Sequence, residues 1–166
     1  EFIKSKILFN DNISVNTSIT VNRNSKNALF QSAKIIFRII NGKINLNNTK
    51  FINDKIGLLE LSNSNLFLEN NNLFLNTNIK IDIKDSDRLF SFLQTNKKSR
   101  KNIKNILVNL DYDFLNNKVK FNNIKIDNNE VGEQFSVALE SLNDNSKNNL
   151  TKSRRIINQL LNIYAG

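Results

Sequence analysis

The sequence contains no cysteine, histidine, tryptophan, proline or methionine, and it has only four glycines. Without cysteine there are no disulfides or thiolate metal sites, and without histidine the commonest general base and metal ligand is missing. Four separate glycines leave no glycine-rich phosphate loop. No run of 18 apolar residues exists, so no segment is predicted to span a membrane. These absences predict a protein that is not an enzyme and binds no metal or cofactor.

Asparagine and positive charge dominate what is present. Asparagine occupies 34 of the 166 positions, and the formal net charge is +9. The lysines are spread along the chain, so we interpret the charge as a solvated basic surface, with an anionic lipid or membrane as the alternative partner. We expect no nucleic acid partner. Because the chain begins at Glu1 and contains no methionine, we expect it to be the C-terminal fragment of a longer protein.

The stretch from Leu73 to Lys84 predicts one long strand, because apolar and polar residues alternate along it with a period of two. At about 3.3 Å per residue, twelve residues reach roughly 40 Å, well beyond the usual strand. The apolar side of such a strand must be covered by another layer, by a curl of the sheet or by an apolar ligand. The sequence leaves these three alternatives open.

A second alternating stretch begins after Ile103 and includes Asp111 and Asp113. Paired carboxylates can act in acid–base chemistry or bind calcium, but here they alternate with apolar residues, and we interpret them as the wet face of a strand. A parity change at Asn122–Asn123 predicts a bulge or a turn in the strand that follows. Together the two long strands predict an apolar groove lined by Leu73, Leu75, Ile79, Ile81, Ile83, Ile106, Val108 and Leu110.

Asparagine-rich turns divide the first half of the chain into shorter strands. Asn41–Gly42 predicts a two-residue hairpin over residues 37–46, because both central positions of a type I′ turn need positive φ. Residues 28–40 fit a strand or a short helix, and β-branched residues favour a strand over the second half. Further strands are predicted at 2–9, 13–22, 50–53, 56–61 and 66–69, with a turn at 63–65.

The hydrophobic period changes to that of a helix in three places. Helices are predicted near residues 86–94, capped by Asp85, and over 132–142 and 150–164. The basic run after the first helix, Lys97 to Lys101, fits a headgroup contact or a solvated helix exit, and we favour the exit. The fold class is therefore mainly β with minor α. We expect one domain over 1–166, with a long, curled antiparallel sheet at 35–127 and a helical cap at 128–166.

Four stretches can be compared with known sequences: INGKINLNNTKF from Ile40, LLELSNSNLFLENNNLFLNTNIKIDIKD from Leu58, the passage from Arg88 to Asn128, and the ending RRIINQLLNIYAG. Together they resemble the C-terminal region of AsmA-like envelope proteins, a family related to TamB-type proteins. The family has no catalytic signature, so the succession of elements carries the resemblance.

The resemblance implies a location and a function. AsmA-like proteins are periplasmic proteins of Gram-negative bacteria, held in the inner membrane by an N-terminal anchor that these residues do not include. Their curled sheet with an apolar groove is implicated in phospholipid transport between the membranes and in outer-membrane biogenesis. The expected ligand is therefore a phospholipid acyl chain. A structural or surface β-protein that binds protein partners through a packed β-module remains the alternative.

Overall fold

A single antiparallel sheet of nine strands organises the part of the chain that the structure describes. The structure is a computed structural model, and it describes residues 7–22, 29–140 and 150–165. The strands are β1 (Val15–Asn22), β2 (Ser32–Ile40), β3 (Lys43–Asn45), β4 (Lys50–Asn53), β5 (Gly57–Glu69), β6 (Asn72–Ile83), β7 (Asn105–Asp113), β8 (Lys118–Ile126) and β9 (Asn129–Glu130). The helices are α1 (Ser86–Leu93), α2 (Glu133–Glu140) and α3 (Leu150–Ala165).

The strands lie in the order β1-β2-β3-β5-β6-β7-β8-β9, and β4 pairs with both β2 and β5. This arrangement confirms the predicted mainly β class, with one large antiparallel sheet and short helices. The sheet runs from residue 15 to residue 130, beyond the predicted 35–127, because the strand after residue 13 and the short β9 join it. The curl of the sheet stays a prediction.

Asparagine makes the tight turns, as the sequence predicts. Asn41 and Gly42 have φ of 48° and 68°, the positive values that a type I′ turn requires, and they join β2 to β3. Asn70 and Asn71 have φ of 50° and 62° and join β5 to β6 in the same way. A short polar side chain that tolerates left-handed backbone therefore sets the hairpin positions.

Two bulges adjust the register of the long strands. In β5, Ser62 pairs with Asn78 and Asn65 with Asn76, so two residues of β5 face Thr77 alone. The predicted turn at 63–65 is wrong, because a bulge absorbs the extra residue and 57–69 continues as one strand. In β8 the predicted bulge at Asn122–Asn123 is confirmed by a register shift opposite Asn109 and Leu110.

The predicted strand at 2–9 is wrong where the structure describes it. Residues 2–6 lie outside the described residues, and Ile7–Phe9 forms a short 3-10 helix. The amide of Asn10 donates to the carbonyl of Ile7 at 3.3 Å, and the amide of Ile13 donates to Asn10 at 3.1 Å. Consecutive turns occupy these backbone groups, and β1 begins only at Val15.

All three predicted helices are present, and they pack at one end of the sheet. Asp85 caps α1 by accepting a hydrogen bond from the amide of Arg88 at 3.0 Å. The buried core joins these helices to β8 and to Ile103, two residues before β7. It consists of Phe90, Leu93, Ile103, Ile124, Ile126, Phe135, Leu139, Leu160 and Leu161. This end is where β6 ends, β7 begins and β8 ends, and it is where apolar side chains from sheet and helices meet.

Candidate functional site

The predicted groove residues share one face of the sheet. Ile79 pairs with Val108 and Ile81 pairs with Ile106, and residues directly opposite each other in an antiparallel pair project to the same side. Alternation along each strand brings the other predicted residues to this side as well. We call this side the apolar face.

A cleft of ≈ 280 Å³ opens between the apolar face and the three helices. This volume is near the lower end of ordinary small-molecule sites. Its lining consists of Leu29, Phe30, Asn53, Ile56, Gly57, Leu58, Leu59, Ile81, Asp82, Ile83, Leu89, Leu93, Ile106, Val108, Phe121, Ile124, Ile126, Phe135, Leu139, Ile157, Leu160 and Leu161. Among these described residues, Asn53 and Asp82 alone carry polar side chains, so the cleft can offer burial but little directional bonding.

The structure divides the eight predicted lining residues into two groups of four. Ile81, Ile83, Ile106 and Val108 line the cleft. The remaining four lie on the apolar face but outside the cleft: Leu73, Leu75, Ile79 and Leu110. Leu73 is buried and the other three are half-buried. The cleft therefore occupies the helical end of the apolar face and does not follow the full length of the long strands.

Sequence reasoning missed the helical side of the cleft. Leu93 of α1, Phe135 and Leu139 of α2, and Leu160 and Leu161 of α3 all face it. Their helical spacing was visible in the sequence and predicted that each helix has an apolar side. Spacing does not say which part of the sheet that side contacts, so it could not place these residues in the lining.

Asn53 is buried at the rim of the cleft and closes the turn before β5. Its amide nitrogen donates to the carbonyl of Leu29 at 2.7 Å, and its oxygen accepts from the amides of Lys55 and Ile56 at 3.0 and 3.1 Å. Its hydrogen-bonding groups are therefore engaged in shaping the rim. A side chain held in this way supports the walls of the cleft and offers no free group for chemistry.

Asp111 and Asp113 lie on the opposite, polar face, in a ladder of asparagines. Partial burial raises the pKa of Asp111, but hydrogen bonds from Asn122 and Asn76, at 2.8 and 2.6 Å, outweigh it and lower the pKa below its ordinary value. Hydrogen bonds from Asn116 and then Asn72 lower the pKa of Asp113 to about 2. Both carboxylates are thus ionised acceptors at neutral pH, which fits the wet face of a strand and does not suit a general acid.

The described residues contain neither a cluster of metal-binding side chains nor a membrane-spanning helix. Within residues 7–22, 29–140 and 150–165, no group of three or more acidic side chains comes together as a metal site would require. In the same ranges, no helix combines the length and apolar character that crossing a bilayer demands.

Comparison with known proteins returns no neighbour. No protein-family model matches the chain, and neither a curated protein nor a solved structure matches it. The resemblance to AsmA-like proteins therefore stays a prediction. The function has to be argued from the cleft and from the surfaces around it.

Proposed function

We propose that the protein binds the hydrocarbon chain of a lipid in the cleft between its sheet and its helices, without catalysis. The apolar lining of the cleft is the observation that carries this proposal. A hydrocarbon chain has no directional chemistry, and burial of each CH₂ group contributes about 0.8 kcal/mol. A site that recognises such a chain needs apolar walls and no reactive groups, and the cleft has this composition.

The wider role we propose follows the resemblance to AsmA-like proteins. In that role the protein works in the periplasm, held to the inner membrane by a segment outside this sequence, and supports phospholipid transport and outer-membrane biogenesis. One feature of the sheet favours it. The apolar face continues past the cleft through Leu75, Ile79 and Leu110, which are only half-buried. A chain that leaves the cleft would therefore meet further apolar surface along β6 and β7.

A charged side chain placed in the cleft tests whether the hydrocarbon chain of a lipid binds there. Ile81 lines the cleft, whereas Leu75 lies on the same face of the same strand outside it. We expect Ile81→Asp to weaken binding of a fluorescent fatty acid about tenfold or more, because a carboxylate must be desolvated against the chain. Leu75→Asp is the matched control for a fatty acid short enough to stay within the cleft. It should bind that ligand within about twofold of the unmodified protein, because Leu75 lies outside the lining.

Native mass spectrometry of the purified protein completes this test, because acyl lipids should co-purify with the unmodified protein and with the Leu75→Asp variant. Circular dichroism of both variants checks that the sheet is intact. The proposal fails if no acyl lipid is bound or taken up by the unmodified protein. It also fails if the two variants lose binding equally, since the cleft would then be a closed structural core.

A protein-binding β-module is the second candidate, and β1 favours it. All eight residues of β1 are exposed, and the strand forms one end of the sheet order. Val15–Asn22 contains neither charge nor proline, the usual protections of a free edge, so another extended segment could pair with it. Ile19→Lys should then abolish capture of a protein partner and leave fatty-acid binding unchanged.

A further inference from the structure

Four cations follow α1 in a segment that we call the basic segment: Lys97, Lys98, Arg100 and Lys101. The three lysines are exposed and Arg100 is half-buried. In the described part of the chain, salt bridges engage Lys50, Lys80, Arg88 and Lys125, and none involves the basic segment. The segment therefore presents a concentration of positive charge that forms no salt bridge with a carboxylate of residues 7–22, 29–139 or 155–165.

The end of α1 does not require these cations. The amide of Gln94 donates to the carbonyl of Ser91 at 3.2 Å, and the amide of Thr95 donates to Phe90 at 2.9 Å. Backbone groups thus satisfy the carbonyls at the helix end, with Gln94 in the left-handed conformation that such endings use. The solvated helix exit that the sequence favours accounts for the position of the segment but assigns no role to its four positive charges.

Hydrogen bonds fasten the basic segment to two helices that line the cleft. Arg100 donates from Nε to the carbonyl of Thr95 at 3.1 Å. The hydroxyl of Thr95, which is buried, donates to Oδ1 of Asn158 in α3 at 2.6 Å. Asn158 in turn donates to the carbonyl of Leu93 at 2.8 Å, and Leu93 lines the cleft. This chain of contacts fixes the segment beside the junction of α1 and α3.

Lys101 makes a separate contact with α3. Its Nζ lies 4.7 Å from the centroid of the Tyr164 ring, within the range of a cation–π interaction. Tyr164 packs against the core cluster to which Leu160 and Leu161 belong, and both leucines line the cleft. Tyr164 lies about one helical turn after Leu160 and Leu161, and the exposed Lys101 is held against its ring.

The cleft itself offers no partner for an anionic headgroup. Two of the lining residues are polar: Asn53, whose amide is already bonded to Leu29, and Asp82, whose carboxylate ion-pairs with Lys80 at 2.8 Å on the polar face. Any selection among lipid headgroups must therefore come from the surface next to the cleft. The basic segment supplies charge of one sign at that place.

We propose that the basic segment binds the phosphate headgroup of an anionic phospholipid whose acyl chain occupies the cleft. This inference rests on the proposed function, since it assigns a headgroup class to the same ligand. Lysine and arginine bind phosphate through charge-assisted hydrogen bonds, and the three exposed lysine side chains can adjust to a headgroup beside the junction of α1 and α3. Burial of the acyl chain in the cleft then supplies affinity, and the basic segment supplies selectivity for the anionic headgroup.

Two single-chain lipids of equal acyl length test the headgroup assignment: lysophosphatidylglycerol, which is anionic, and lysophosphatidylcholine, which is zwitterionic. We expect the unmodified protein to bind the anionic lipid about tenfold more tightly, and this preference should shrink as salt is raised. The triple variant Lys97→Gln, Lys98→Gln, Lys101→Gln should lose the preference and keep its affinity for lysophosphatidylcholine. Arg100 is left unchanged because its bond to Thr95 is structural.

The matched control replaces three exposed lysines on the strands, Lys34, Lys43 and Lys118, by glutamine, which removes the same net charge elsewhere. This control should keep the tenfold preference. The headgroup assignment is overturned if the unmodified protein binds the two lipids equally, or if the control variant loses the preference as fully as the triple variant does. Neither result contradicts binding of the acyl chain in the cleft. Competition by inorganic phosphate as strong as that by the anionic lipid also overturns it. If neither lipid binds, the proposed function fails together with this inference.

Discussion

The side-chain hydroxyls of Ser64 and Thr77 are hydrogen-bonded to each other across β5 and β6, in the middle of the apolar face. Ser64 is 0% exposed and Thr77 is 1% exposed. The bulge in β5 brings Ser64 opposite Thr77, and Ser64 also donates to the carbonyl of Ser62 at 3.1 Å. A polar pair can therefore interrupt an apolar face, because each hydroxyl satisfies the other.

Removing one hydroxyl of this pair should destabilise the fold, because it leaves the other hydroxyl buried without its partner. We expect Ser64→Ala to lower the free energy of unfolding by about 1–3 kcal/mol, since it leaves the buried hydroxyl of Thr77 without that partner. Adding Thr77→Val should recover part of the loss, so the double variant should be less destabilised than the sum of the singles. Urea unfolding of the four proteins measures this coupling. Strictly additive losses would show that the two hydroxyls do not stabilise each other.

Gly57 should tolerate no side chain. Its φ is +152°, and a Cβ atom built on it would lie 2.1 Å from the carbonyl oxygen of Asp82 on the neighbouring strand. We expect Gly57→Ala to destabilise the fold by about 2 kcal/mol or more, because strands β5 and β6 must separate or the backbone must change. Gly132→Ala is the control, since a Cβ there meets no atom within 4 Å. Thermal unfolding should leave the Gly132 variant close to the unmodified protein; equal losses would contradict the steric argument.

Asp113 should make stability depend on acid pH. Its amide partners lower its pKa from 3.8 to about 2 in the folded protein. Because the folded pKa is the lower one, the contribution of Asp113 is fully present above pH 3.8 and is lost as the pH falls towards about 2. Urea midpoints for Asp113→Asn should therefore vary less than those of the unmodified protein across this window. Asp54→Asn removes an equal charge from an exposed loop, and it should retain the original pH dependence.

Photocrosslinking should map the lipid to one end of the apolar face. A photoreactive residue at position 106 lies in the lining of the cleft, whereas position 110 lies on the same face of β7 outside it. We expect lipid adducts at position 106 in cells, with several-fold fewer at position 110. Equal labelling at both positions would mean that the lipid path follows the whole strand. No labelling at either position would contradict lipid binding on this face.

The sequence alone determined the local structure. Alternation with period two depends only on neighbouring residues, and it correctly marked the long strand from residue 73 and the strand around Val108. Asn41–Gly42 marked its hairpin because positive φ is a property of the residues in the turn. Asp85 and the apolar spacing after it marked α1, and the same kind of spacing marked α2 and α3.

Long-range contacts decided the remaining features. Asn63 and its neighbours have the composition of a turn, yet pairing with β6 on one side and with β4 and β3 on the other keeps β5 continuous, with a bulge in place of the turn. Pairing energy from three neighbouring strands is invisible in a local window.

The residues of the cleft were also determined partly by local sequence and partly by long-range contacts. Ile81 and Leu75 are equivalent in the sequence, since both are apolar residues on the same side of one strand. Only the placement of α1, α2 and α3 over the helical end puts Ile81 in the cleft and leaves Leu75 outside it. A strand determines the face on which its side chains lie by its own geometry, but the cover that each side chain meets depends on elements far away in the chain.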